Sequence, residues 1–232
     1  MKMIQDCING IKFYHREGFS DLKTFKEVIG NKVYEKKGMT IEQNERWMDC
    51  GGNVGAFTLL VCSKGAEVTV YEPDPYNCEM IEKNLKLNGF KANIKEVALV
   101  HNDVKELILF IGNNNNVWRN SIVKKWNNKG IKVKCINFDE EAKSFDCCKM
   151  DIEGSEMLIL ENTKKVFSKL VYEWSFDIDD NLQRFWNIIE KQKKQYSDLK
   201  DVGNTAKFKT RDYNTWQKSW FPACTNVFAF NE

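Results

Sequence analysis

The sequence predicts an α/β fold built on a doubly wound, mostly parallel sheet, and three observations predict it. Residues 47–57, Trp-Met-Asp-Cys-Gly-Gly-Asn-Val-Gly-Ala-Phe, combine an apolar run ending in Asp49, a glycine turn at Gly51, Gly52 and Gly55, and a helix-like start at Ala56 and Phe57. A second apolar run, residues 66–71, ends in Glu72, so strand, glycine turn, helix, strand and acid follow in the order of a nucleoside-binding βαβ unit. Four acids, Asp49, Glu72, Asp151 and Glu173, each close an expected strand. Right-handed crossovers bring such strand ends to one edge of the sheet, where ligands bind.

The elements follow in order. Residues 1–45 are mixed polar and apolar and read as a cap segment, with two helices, or a helix and a strand, around Asp21–Val28 and Asn31–Tyr34. From 46 to 232 the chain reads as the main domain, the two parts forming one globular unit. Strand 46–50, helix 54–64, strand 67–72, helix 75–88 and strand 92–97 alternate, and Asn88-Gly89 closes the second helix as a left-handed cap. Short strands at Glu106–Ile111, Asn120–Lys125 and Ile131–Phe138 then suggest a small inserted β-hairpin region, with Asn113–Asn116 as its tip, favoured by turn chemistry over a mobile loop near the ligand. Strand 145–151, helix 155–164, strand 167–174 and helix 179–196 resume the alternation. Two closing strands, at Lys207–Thr210 and Cys224–Phe230, flank an aromatic loop.

Bulk properties narrow the class. At 232 residues one domain suffices. A net charge of +2 gives no electrostatic case for nucleic acid or an anionic membrane, so no specific nucleic-acid partner is expected. The N-terminus lacks the apolar core of a signal peptide, and no stretch approaches the roughly 20 apolar residues of a spanning helix. A cytoplasmic protein without membrane insertion is expected. Cys50, Cys62, Cys135, Cys147, Cys148 and Cys224 sit in apolar stretches with no Cys-x-x-Cys pair, which reads as buried free thiols.

The ligand is suggested by Asp49. A carboxylate ahead of the glycines repels a pyrophosphate but suits a cation, and S-adenosylmethionine carries a sulfonium and an ammonium. A nicotinamide or flavin site is the competing reading, but Gly-Gly-Asn-Val-Gly is not its Gly-x-Gly-x-x-Gly spacing. No Gly-Lys-Ser/Thr follows, which excludes a phosphate-cradling loop. Asp49, Gly51, Gly52, Asn53, Gly55, Ala56, Phe57, Glu72 and Pro73 are therefore the expected cofactor-binding residues.

Lys149-Met-Asp-Ile-Glu-Gly-Ser-Glu156 ends a later strand. Asp151 and Glu153 lie at a strand-to-turn junction, where Gly154 permits a tight path. Two such carboxylates, joined by Glu173, can hold a divalent cation such as Mg2+, or one can take a proton from a hydroxyl. Helix capping by Ser155 or Glu156 accounts for those two residues but less readily for Asp151.

The stretch Asn44–Glu173 resembles the FkbM-type family of S-adenosylmethionine-dependent methyltransferases. The resemblance rests on Asp49–Gly55, on Glu72-Pro73, on Phe138-Asp139 and, most specifically, on Lys149–Glu156. It implies a class I, Rossmann-like methyltransferase with a seven-stranded sheet and an antiparallel C-terminal strand. It also implies O-methylation, often of sugar hydroxyls on glycans, and places Ala98 and the Asn120-Ser121 region near the adenine or carboxylate of the donor. One departure stands out: where such proteins carry Glu-x-His, this chain has Glu173-Trp-Ser. The candidates left for proton transfer are Asp151, Glu173, Lys149 and His101, with the first two preferred.

Asp74-Pro75-Tyr76 lacks a proline of the Asp-Pro-Pro-Tyr box and follows the wrong strand, so Pro75 reads as a helix starter and N-methylation is disfavoured. Trp174 and the Trp216, Trp220, Phe221 loop are the expected substrate-facing aromatics, whereas Trp186 and the rest read as packing. His15 reads as a surface residue. The expectation is an O-methyltransferase acting on a hydroxyl, most simply of a sugar in a glycan. An RNA ribose 2′-O-methyltransferase and a donor-binding module without catalysis are the alternatives.

Overall fold

The computed structural model describes residues 2–36, 38–112, 120–125, 128–175, 178–201 and 224–231. The expected hairpin tip at Asn113–Asn116, the strand at Lys207–Thr210 and the loop with Trp216, Trp220 and Phe221 lie outside them.

The chain opens with a hairpin that the sequence reading missed. Strands β1 (Met3–Ile8) and β2 (Ile11–Arg16) pair antiparallel through Asn9-Gly10, whose φ values of 52° and 83° are those of a tight two-residue turn. Helix α1 (Asp21–Phe25) continues into a π turn at Lys26–Gly30. Arg16 and Asp21 form a buried pair at 2.8 Å that locks hairpin to helix, and Arg16 also donates to Asn77. His15, expected at the surface, is buried beside Phe13.

The main sheet is built from β3 (Arg46–Cys50), β4 (Glu67–Tyr71), β5 (Asn93–Lys95), β9 (Cys147–Met150), β10 (Lys169–Ser175), β11 (Asp198–Asp201) and β12 (Cys224–Phe230). Between β5 and β9 lie β6 (Ala98–Val100), β7 (Glu106–Phe110), β8 (Gly130–Asn137) and α4 (Phe138–Ala142). The order β11-β12-β10-β9-β3-β4-β5 is parallel except for β12, which runs against both neighbours. This is the class I arrangement. The chain winds outward from β3 to β5 and then crosses to β9 on the other side of β3, so the order reverses beside β3 and a crevice opens at the strand ends. Helices α2 (Ala56–Ser63), α3 (Pro75–Asn88), α5 (Glu156–Asn162) and α6 (Leu182–Lys193) supply the crossovers.

Side chains alternate between the faces of the sheet. Trp47 and Val171 pack with Phe57, Leu59 and Ile81 on one face, and Met48, Leu170 and Tyr172 pack with Met150, Phe185 and Ile188 on the other. The hairpin joins the first face, with the Asn84 amide of α3 accepting from the Tyr14 backbone N–H at 2.7 Å. The inserted region is a three-stranded sheet, β6-β8-β7, with β7 and β8 antiparallel and β6 parallel to β8. The strand expected at Asn120–Lys125 shrinks to a single bridge between Ser121 and Phe110, because Ser121 turns its hydroxyl to bind the Val123 and Lys124 backbone instead of extending the ladder. All eight cysteines are free; Cys7 and Cys224 are exposed, the latter against expectation. Among the described residues no helix is long and apolar enough to cross a membrane.

Candidate functional site

A cavity of about 410 Å³ opens where the strand order reverses, within the range that holds a small organic cofactor. Its lining includes Gly51, Gly52, Asn53, Ala56 and Phe57 after β3, Glu72 and Pro73 after β4, and Ala98 at β6. Asp151 and Glu153 after β9, Glu173 in β10 and Lys149 also line it. Most of the expected residues are thus brought together, although separated by more than a hundred positions in the chain.

The glycine turn is shaped by its own neighbours. Gly51 has φ +81°, and a Cβ there would lie 1.9 Å from the Asp151 carbonyl oxygen; at Gly52 it would lie 2.2 Å from a Val70 methyl. These glycines let the turn nest among the strand ends, and both line the cavity. Gly55, with φ +89°, starts α2 from the left-handed region and does not line the cavity. No side chain caps α2, which leaves first-turn N–H groups at Ala56 and Phe57 without an intrahelical partner.

Glu72 is 5% exposed, and its carboxylate accepts from the backbone N–H groups of Asn53 (2.7 Å) and Asp74 (2.9 Å). Burial pushes its carboxyl up to about 7, with the nearby Asp74 adding to it. Asp74 caps α3 by accepting from Tyr76 N, with Pro75 at the first helical position, and its other oxygen accepts from the Asn120 amide at 2.8 Å. The inserted region is tied to the start of α3 by this contact.

Asp49 stands behind the site instead of facing it. It is fully buried, absent from the cavity lining, accepts from the Thr58 hydroxyl at 2.7 Å and lies 3.2 Å from Lys149 Nζ. Lys149 in turn donates to the carbonyls of Gly51 (2.5 Å) and Cys50 (3.2 Å). Burial works against the Lys149 charge, but Asp49 and Asp151 outweigh it and hold the ammonium above the usual lysine range. The pair therefore clamps the glycine turn from beneath, which is a structural use for the carboxylate that the charge argument had aimed at a cation.

Asp151 follows β9 and accepts a hydrogen bond from the Tyr34 hydroxyl at 2.6 Å. Glu173 stands on the adjacent strand, with its Oε1 accepting from Ser175 at 2.9 Å. Burial raises the Glu173 carboxyl to about 8, and the charge of Asp151 contributes to the rise. Glu156 folds back to accept from the N–H groups of Ile152 (2.5 Å) and Gly154 (2.7 Å), so it holds the Asp151–Gly154 turn. The capping reading fits Glu156; Ser155 makes no side-chain cap.

Several expected residues fall elsewhere. His101 is exposed in the bend after β6 and does not line the cavity, because β6 ends one residue earlier and turns the chain outward. Ser121 is buried and donates to the Glu153 carbonyl, bracing the turn from outside the cavity, while its neighbour Asn120 does line it. Trp174 is buried against Phe185, at 4.2 Å between ring centroids, and is a core residue. Among the described residues no group of three His, Cys, Asp or Glu side chains is placed to hold a metal, so Asp151, Glu153 and Glu173 do not form the expected ligand set. Conversely, Lys23, Thr24, Glu27, Val28 and Tyr34 from the N-terminal segment, expected as a cap over one side of the site but not singled out by residue, wall the cavity, as does Asn226 from β12. They meet the site only through tertiary packing, and no local motif marks them.

A model for the methyltransferase FkbM domain matches residues 49–202. An uncharacterized RNA methyltransferase of Mycoplasma mobile is 29% identical over 99 residues, which is 43% of this chain and 26% of that protein. The chain therefore spans about a quarter of the length of the curated relative it matches. Among solved structures, an S-adenosylmethionine-dependent methyltransferase from Agrobacterium tumefaciens aligns with a TM-score of 0.51 at 10% identity, over 100% of this chain and 71% of that one. The T. thermophilus 16S rRNA N2 G1207 methyltransferase, solved with AdoMet and guanosine, gives 0.47 at 12% identity, over 100% and 50%. The Mycoplasma relative overturns one expectation: net charge near zero does not exclude nucleic acid, because charge summed over a chain says nothing of how it is distributed at a site. The glycan acceptor expected alongside that exclusion is withdrawn with it. The matched segment, the strand order and the cavity at its switch point agree, and the chain belongs to the FkbM family of methyltransferase domains, which use S-adenosylmethionine as cofactor.

Proposed function

We propose that this chain transfers the methyl group of S-adenosylmethionine to an alcohol hydroxyl, with Asp151 as the base. The observation that carries this reading is the pair of carboxylates, Asp151 and Glu173, on neighbouring strands in one cavity wall. An alcohol is a poor nucleophile near neutral pH and must give up its proton as its oxygen attacks, so a carboxylate within reach is what the reaction requires. The bound donor supplies an electrophilic methyl group on a sulfonium.

The residues present fit that donor. Glu72 is the acceptor for ribose hydroxyls, since among the described residues its Oε2 accepts only from the Asn53 N–H and keeps a lone pair, whereas Oε1 accepts from Asp74 and Asn77. The uncapped start of α2 suits a carboxylate. Val97, Ala98, Leu99 and Ile122 offer apolar walls for the adenine ring. The buried Asn53 side-chain oxygen has no hydrogen-bond partner among the described residues, as expected of a group that meets a ligand. Asp49 and Lys149 hold the turn in shape, and burial, with the charge of Asp151, raises the Glu173 carboxyl to about 8, which favours its protonated form at neutral pH. Proximity in this enclosed site supplies the rest of the rate.

The test is methyl transfer from labelled S-adenosylmethionine to matched alcohols and amines, with the product bond identified by mass spectrometry. Ether formation supports the reading, and transfer to nitrogen alone overturns it. A second reading takes RNA as the acceptor, as the name of the Mycoplasma relative suggests, with the ribose 2′-hydroxyl as the alcohol that RNA offers. Under it, an oligoribonucleotide is methylated, its deoxy counterpart is not, and binding weakens steeply with salt.

A further inference from the structure

Tyr34 lies outside residues 49–202, where the family match falls, yet its hydroxyl makes the 2.6 Å contact to Asp151 from 117 positions away. We propose that Tyr34 is a positioning residue: it occupies one oxygen of Asp151, so that the other oxygen faces the hydroxyl to be methylated. This rests on the reading of Asp151 as the base.

The geometry of the ring supports it. Tyr34 is 7% exposed and packs edge-on against Phe57 at 5.6 Å, and the Lys149 ammonium sits 5.4 Å from its ring centroid. Phe57 and Lys149 belong to the donor turn and its clamp, so the phenol is aimed by the same groups that shape the donor site. Neither Lys149 nor Glu173 is hydrogen-bonded to Asp151: Lys149 donates to the Cys50 and Gly51 carbonyls and forms an ion pair with Asp49, and Glu173 accepts from Ser175. Among the described residues, Tyr34 is thus the side chain that hydrogen-bonds this carboxylate. A phenol keeps its proton here, since burial and the charge of Asp151 both push its ionisation well above the ordinary value. A neutral donor aimed at a carboxylate favours the ionised form and restrains its rotation.

The experiment compares the parent, Tyr34→Phe, Asp151→Asn and the double variant. Tyr34→Phe keeps the ring and its packing, so the fold is expected to survive. We expect kcat to fall about 10- to 100-fold, the range of a lost orienting contact, with the KM for the hydroxyl substrate and the Kd for S-adenosylhomocysteine within twofold of the parent. The double variant should be no slower than Asp151→Asn alone, because a residue acting through Asp151 has nothing left to act on. A kcat within twofold of the parent for Tyr34→Phe, or a further loss in the Asp151→Asn background, would overturn the proposal. If the parent methylates no alcohol at all, the reading of the reaction fails instead. The positioning contact is then judged by denaturant unfolding of the same four proteins with S-adenosylhomocysteine bound: non-additive midpoints support it and additive midpoints reject it.

Discussion

At the scale of single residues, binding and chemistry divide between Glu72 and Asp151 under the proposed reading. Asp151→Ala should reduce methyl transfer by at least about 100-fold, the low end of what a positioned base contributes, while S-adenosylhomocysteine binds as before. Glu72→Ala should do the reverse, weakening donor binding by about 10- to 100-fold, equivalent to one or two charge-assisted hydrogen bonds, as read by calorimetry. The placement of Glu72 in the cavity wall was legible because it depends on linear spacing: Glu72 closes the strand that follows the glycine turn. The role of Asp49 was not. Its carboxylate was assigned to a ligand because a sequence does not reveal that Lys149, a hundred positions on, pairs with it in register across β3 and β9. Tyr34 was invisible for the same reason, since nothing in its own neighbourhood marks it as the partner of Asp151.

At the scale of elements, the glycine turn and the N-terminal hairpin carry the sharpest tests. Gly51→Ala places a methyl against the Asp151 carbonyl at a φ that L-residues avoid, so it should cost about 2–3 kcal/mol of stability and lower donor affinity together. Denaturant unfolding and calorimetry read both. Asp21→Ala strips the buried Arg16 of its counter-charge and should cost about 3–5 kcal/mol, visible as a lower unfolding midpoint. The parallel strands were legible from their apolar runs and terminal acids. The hairpin carried a signal too, the Asn9-Gly10 pair, but mixed polarity hid it: its outer strand, β1, is exposed at three of six positions, and β2 buries a histidine and an arginine among its apolar residues. The inserted sheet was legible in outline only, because the Ser121 side chain competes with strand pairing by binding backbone nearby.

At the scale of the whole molecule, the edge of the sheet holds more carboxyl groups than it has cations to balance. Burial raises Glu72 and Glu156 to about 7 and Glu173 to about 8, against about 4.3 for an unfolded glutamate. Each therefore keeps its proton in the folded state after the unfolded chain has released it. The stability they contribute is complete below about pH 4.3 and is lost as pH rises toward about 8. The unfolding midpoint of the ligand-free protein should decline across this window relative to Glu173→Gln, in which one contribution is removed; parallel curves would contradict the assignment. The placement of β12 has a consequence for how the chain is made. It is the last strand in sequence, yet it lies between β10 and β11, so a nascent chain that has emerged from the ribosome only as far as Asp201 leaves both of those strands without their shared neighbour. Such open edges invite pairing with other chains, so a translational pause in that interval is where aggregation should begin.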